Sequence, residues 1–274
     1  MTLLVAWAAV DTHGMSAMYI ASDSRISWGA TAHFDSGRKV FAFRNHPDIL
    51  GYCGDVLFPS LALSQIVELG DAGLLFSAGA SAEQKFQAIV DKLNDLAREY
   101  PVLHSSLAKN SLSVLHGSRE SGSGKNFSCR SISWHRDRGW WGEAVPMPRR
   151  SDVLFALGSG ARSFSDNLER YKVGPTSGTS RAVFHCICDT LAVVAEPTIG
   201  GPPQLVGIIR KPNSFASSYG VIHKGQRTFL GAHIDNLQNF DAILWRNENF
   251  ELCDGNTRRR RANAQPQPDP IRRR

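Results

Sequence analysis

No stretch of this 274-residue chain approaches the roughly 18 consecutive apolar residues that a membrane-spanning helix requires, which excludes that class of membrane protein. The opening MTLLVAWAAV has no basic region before its apolar one and runs straight into polar residues, so it does not read as a secretory signal. Five cysteines, Cys53, Cys129, Cys186, Cys188 and Cys253, form no Cys-x-x-Cys pair, and an odd count gives no disulfide framework. Cys186 and Cys188 fall two apart in an apolar helical stretch and do not share a face, so no zinc site is expected. Nine histidines are scattered without ligand spacing, and no Gly-x-Ser-x-Gly elbow occurs. The stretch Gly117 to Asn126 imitates a phosphate loop, but Arg119 stands where the first glycine is required and Asn126 replaces Ser or Thr. A reduced, cytoplasmic protein without metal or cofactor is the expectation.

An excess of charge of either sign is missing from the body of the chain. The net charge is +6, yet seven arginines and a single acid (Asp269) lie between Arg258 and Arg274, which leaves 24 basic and 24 acidic residues elsewhere. The basic character therefore belongs to the C-terminal end and argues against a nucleic-acid-binding face. Composition assigns one domain to residues 1–250 and a disordered basic tail to 251–274.

What is present is a clear alternation of periods. Residues 2–10 and 17–23 read as strands of a hairpin around Asp11-Thr12-His13-Gly14, and 39–43 with 49–53 as a second strand pair. Asp55 to Leu69 and Ser81 to Tyr100 then carry apolar residues at helical spacing, the second capped by Ser81 and ended before Pro101. Strands are expected at 111–117, 127–135, 139–145 and 153–157, with Gly117 to Lys125 as a loop between the first two. Helices follow at Arg162 to Tyr171 and Thr179 to Glu196, then strands at Leu205 to Arg210, Gly220 to His223 and Thr228 to Leu230. Asn236 to Phe250 adds a short helix or strand. Each helix pair needs a sheet face for its apolar stripe, and each sheet needs its other face covered. An α+β fold with four layers, helices–sheet–sheet–helices (αββα), meets both needs.

Thr2 is the residue with the most chemistry. Once Met1 is removed, by methionine aminopeptidase, it carries both a nucleophilic hydroxyl and an α-amine able to serve as its base. Downstream stand Ala21-Ser22-Asp23-Ser24-Arg25, Gly37-Arg38-Lys39-Val40-Phe41 and Gly51-Tyr52-Cys53-Gly54-Asp55. This ordered set resembles the first third of proteasome β-type subunits, which are N-terminal nucleophile (Ntn) hydrolases, and is closest in style to the bacterial stand-alone Anbu type. The similarity runs from Thr2 to about Tyr100 and returns at Ala156 to Ala161 and at Glu196 to Gly201. Asp23 and Lys39 are sixteen residues apart, the spacing expected for the family's acidic and lysine partners.

The resemblance implies a proteasome-subunit-like αββα sandwich and a threonine-type peptidase or amidohydrolase. In it Thr2 attacks a carbonyl, Lys39 favours the alkoxide, and Asp23 keeps that lysine charged. Gly51 presents a backbone N–H to the oxyanion, while Ser159 and Gly160 lie near the N-terminal amine. Ile26, Ser27, Ile49 and Cys53 fall where the family lines its substrate pocket. The plainer readings are an ordinary ion pair for Asp23 and Lys39, and core packing for the apolar set. Two departures stand out: Glu196 occupies a position where the family commonly has Asp, and Ile199 one where it commonly has Ser. The resemblance also implies a peptide or protein substrate and self-association into a homo-oligomer, and leaves an ATPase partner open. A catalytically silent assembly subunit and an Ntn amidase acting on a small amide are the alternative functions.

Overall fold

The computed structural model describes residues 2–29, 31–101, 112–120, 126–135, 139–194, 196–235 and 239–264. The N-terminal hairpin is β1 (Leu4–Asp11) and β2 (Gly14–Ser22), with Gly14 at φ +98° where a side chain would be strained. A small hairpin not expected from the sequence, β3 (Ile26–Trp28) with β4 (Ala32–Phe34), precedes β5 (Val40–Ala42) and β6 (Asp48–Gly54). Helices α1 (Leu57–Asp71) and α2 (Ala82–Glu99) follow. Ser81 closes a full capping box with Gln84 at the start of α2.

Next come β7 (Leu112–Arg119), β8 (Phe127–His135), β9 (Gly139–Val145) and β10 (Asp152–Leu157). The expected 117–125 loop begins later than composition suggests, because Gly117 to Arg119 complete β7, and 121–125 lie outside the described residues. Helices α3 (Ala161–Lys172) and α4 (Ser180–Val193) lead into β11 (Gln204–Ile209), β12 (Ser217–His223), β13 (Gln226–Phe229) and β14 (Ala232–His233). A 3₁₀ turn at Phe240–Ala242 and short strands β15 (Trp245–Asn247) and β16 (Leu252–Cys253) complete the described chain. Among the described residues no helix is long and apolar enough to cross a membrane.

Two sheets dominate. One has the order β10-β1-β2-β11-β12-β13-β14, with β15 alongside β12 and β16 alongside β15; the other runs β5-β6-β7-β8-β9. Side chains alternate across each strand, and that alternation sorts most of the core into three clusters, with a fourth and smaller one at Ile222, Phe240, Trp245 and Cys253. Leu4, Ala6, Met18 and Ile20 meet Val40, Ile49 and Leu115 between the sheets. Val5, Trp7 and Tyr19 face the other way, onto Phe184, Ile187 and Phe164 of α4 and α3. Phe41, Leu50 and Val114 pack outward on Leu63, Ile66, Ile89 and Leu93 of α1 and α2.

The stretch expected to open the tail is tied down over residues 251–264. β16 pairs with β15, Cys253 is fully buried, and the Arg261 side chain donates to the Cys253 carbonyl. Arg227 donates to the carbonyls of Gly255 and Asn256, and Arg258 to that of Gly225. Several arginines that composition assigns to a solvated run thus take part in backbone-directed hydrogen bonds. Residues 265–274 lie outside the described residues.

Candidate active site

Thr2 sits just ahead of β1 and is 1 % exposed. Its carbonyl accepts the Gly160 N–H at 3.2 Å. Gly158, at φ +88°, packs so closely that any Cβ there would overlap the Thr2 carbonyl. The Gly158-Ser159-Gly160 turn therefore fixes the Thr2 peptide through its backbone. Ser159 itself is exposed, and among the described residues its hydroxyl meets no partner.

Asp23 follows β2 directly, and its carboxylate is fully buried. One oxygen accepts the Leu3 N–H at 3.1 Å and Lys39 Nζ at 2.9 Å; the other accepts the N–H groups of Arg25 and Gly200, each at 3.2 Å. Four donors around one carboxylate offset the cost of removing its charge from water. Lys39, also fully buried, lies just ahead of β5 and reaches across with Nζ to donate to Thr2 Oγ1 at 3.0 Å. A hydroxyl oxygen, an ammonium and a carboxylate thus stand in line inside the protein. A buried ammonium beside a hydroxyl favours the alkoxide, and an ion-paired carboxylate favours the ammonium.

The remaining residues singled out from sequence are placed differently from one another. Ile26 and Ser27 lie on β3, half-buried, with the Ile26 side chain over Gly37 near the root of that hairpin. Cys53 is buried on the inter-sheet face, where burial pushes its thiol up to about 11 and keeps it protonated at neutral pH. Ile49 is fully buried between the sheets, registered with Ala42 and Gly117, and serves as core rather than pocket wall.

Gly51 does not join the cluster either. It lies mid-strand opposite Val40 and Leu115, and its missing Cβ makes room for Ile20 and Leu4. The Tyr52 N–H donates toward β5, to the Lys39 carbonyl at 3.1 Å, so strand alternation turns the Gly51 N–H toward β7. The same alternation turns the N–H of Gly54, three residues on at φ +106°, toward the Lys39 edge. Ile199 is 3 % exposed and packs over Gly160 with the α3–α4 cluster, while Glu196 accepts from the Thr198 hydroxyl at 2.7 Å. Among the described residues no three His, Cys, Asp or Glu side chains gather as a metal site would require.

No protein-family model matches the chain, and no curated protein matches it. Solved structures do. The fold is the proteasome-like Ntn-hydrolase fold. Within it, the chain is similar to Anbu (ancestral β-subunit) from Yersinia bercovieri at 14 % identity, covering 76 % of this chain and 82 % of that one with a TM-score of 0.52. The Gly-1 mutant of Anbu from Hyphomicrobium sp. strain MC1 gives 13 % identity, coverage of 80 % and 86 %, and a TM-score of 0.53. The helical assembly of the Anbu complex from Pseudomonas aeruginosa gives 16 %, 83 % and 87 %, and 0.55.

Proposed function

We propose that this protein is a threonine-type Ntn hydrolase that cleaves amide bonds, in a peptide or protein, through an acyl-enzyme on Thr2. The observation that carries this reading is the buried line Thr2 Oγ1–Lys39 Nζ–Asp23, with separations of 3.0 and 2.9 Å. With Met1 removed, the Thr2 amine or a water beside it takes the hydroxyl proton as Oγ1 bonds to the carbonyl carbon. The Lys39 ammonium stabilises the developing alkoxide, and Asp23 holds that ammonium in place. Gly54, whose N–H is turned toward this edge, takes the oxyanion role expected of Gly51. Collapse of the tetrahedral adduct breaks the C–N bond, and the leaving amine takes up the proton. Water then attacks the Thr2 ester, and the released acid and free hydroxyl restore the start.

The same reading extends to the whole molecule. Three apolar clusters support a four-layer αββα sandwich spanning one domain. Large apolar side chains left exposed on the helices, Leu57 and Leu61 on α1 and Val193 on α4, support self-association, as does the assembly described for the Pseudomonas Anbu complex. Five unpaired thiols suit the cytoplasm.

A silent assembly subunit is the second reading. It is favoured by the exposure of Ser159 and by Ile199, whose apolar side chain has no hydrogen bond to offer an N-terminal amine. Hydrolysis of fluorogenic peptides and small amides by wild type and Thr2→Ala separates the two. The hydrolase reading expects turnover that Thr2→Ala abolishes with the melting temperature retained. Absence of turnover in a wild type freed of Met1 contradicts it.

A further inference from the structure

The cluster is held by a residue far from it in sequence. Gln204 opens β11, registered with Ser22 of β2, and its side chain is fully buried. Alternation places it on the same inter-sheet side as Val206. Its amide Nε2 donates to the carbonyls of Asp23 (3.0 Å) and Gly37 (2.8 Å), while Oε1 accepts the Lys39 N–H (3.0 Å). Both donors and one acceptor site of a single amide are thereby spent on three backbone groups. Two of those groups belong to the residues whose side chains form the ion pair, and the third lies two residues before Lys39.

We infer that Gln204 is a positioning residue: its amide sets the spacing between the Asp23 and Lys39 main chains and so holds Lys39 Nζ against the Thr2 hydroxyl. This rests on reading Thr2, Lys39 and Asp23 as the reactive cluster. The physical basis is the steep dependence of reactivity on position, since a displacement of about 1 Å costs about 10²-fold in rate. Lys39 lies outside regular strand, ahead of Val40, so its main chain relies on the Tyr52 N–H, which meets its carbonyl at 3.1 Å, and on this amide.

The test uses Gln204→Met, which keeps length and removes all three hydrogen bonds, and Gln204→Glu, which keeps shape but offers no donor when ionised. For the folded fraction of Gln204→Met, the rate of covalent modification of Thr2 by an epoxyketone-type probe is expected to fall about 10- to 100-fold while the concentration giving half-maximal rate stays within about threefold. A purely packing role lowers the melting temperature and leaves the rate of folded molecules unchanged, and that result overturns the inference. Should Gln204→Met fail to fold, Gln204→Glu decides. Its relative rate rises as pH falls, because the protonated carboxyl recovers one donor, and a pH profile parallel to wild type overturns the inference. An independent readout is the position of the Lys39 side-chain resonance at one pH, followed by NMR with labelled lysine. A Lys39 resonance displaced in the variants supports the clamp even if wild type proves inactive, which would sink only the hydrolase reading. Identical resonances overturn the clamp.

Discussion

Among the described residues two aspartate–lysine pairs are buried, and they have little else in common. Asp23 and Lys39 meet at 2.9 Å beside the N-terminal strand; Asp48 and Lys85 meet at 2.6 Å between the five-stranded sheet and α2. Both are almost wholly shielded from water. The difference is the third partner. Lys39 offers its remaining reach to the Thr2 hydroxyl, whereas Asp48 offers its second oxygen to His116 Nε2 at 2.9 Å. Around the second pair the Phe86 ring stacks on His116 and the Phe76 ring lies below the Lys85 ammonium. That pair staples a helix to two strands and faces nothing that reacts. Burial of an ion pair is therefore no mark of a site; in the proposed function the hydroxyl at the end of the first pair makes the difference.

The two lysines give the sharpest contrast. Lys39→Ala is expected to lower turnover per folded molecule by about 10²–10⁴. Lys85→Met is expected to leave that turnover unchanged and to cost about 3–5 kcal/mol of stability, because it strands a buried carboxylate. Urea titrations and kinetics on both variants check this, and a turnover loss in Lys85→Met would break the distinction.

Next in size is the response to acid. Burial alone would raise the Asp48 carboxyl, but the hydrogen bond from His116 and the charges of His116 and Lys85 hold it below the usual range. Its folded pKa lies below the unfolded one, so its stabilisation is complete above the unfolded value near about 4 and is lost as pH falls through the folded value. Asp48→Asn should therefore flatten the acid limb of stability below about pH 4 while lowering stability at neutral pH. Chemical denaturation at a series of pH values reads both, and an acid limb as steep as wild type would contradict the assignment. The smallest effect is expected of Ser159→Ala, about threefold or less in turnover, because Ser159 is exposed while the neighbouring N–H of Gly160 holds Thr2.

How much of this was legible in the sequence follows from the range of each interaction. The β1–β2 alternation, the Ser81–Gln84 capping box and the strand–helix order are local, and their residues announce them. Asp23 and Lys39 are linked in the sequence by an order of short motifs that resembles the proteasome β-type subunits, and not by periodicity. Gln204 and the Asp48–Lys85–His116 staple are single polar residues in separate elements, joined only by the packing of the sheets. Gly51 and Gly54 show why register matters. They lie three apart on one strand, and only the hydrogen bond from Tyr52 to Lys39 tells which N–H turns toward the cluster. The β3–β4 hairpin was open to detection from the alternation of Ile26, Trp28, Ala32 and Phe34 around Gly29, which sits at φ +69°. The arginines at 258–261 misled because composition reports charge and not the carbonyls that the side chains find.

The central claim is that the Thr2 hydroxyl, and not merely a buried ion pair, is the functional end of the Asp23–Lys39 line. Peptide mapping by mass spectrometry, after treatment of protein from its native host with an epoxyketone-type probe, tests it directly. The account predicts an N-terminal peptide that begins at Thr2 and carries the probe, with no such adduct in Lys39→Ala on the same time scale. An N-terminal peptide that retains Met1 throughout and carries no probe would contradict it.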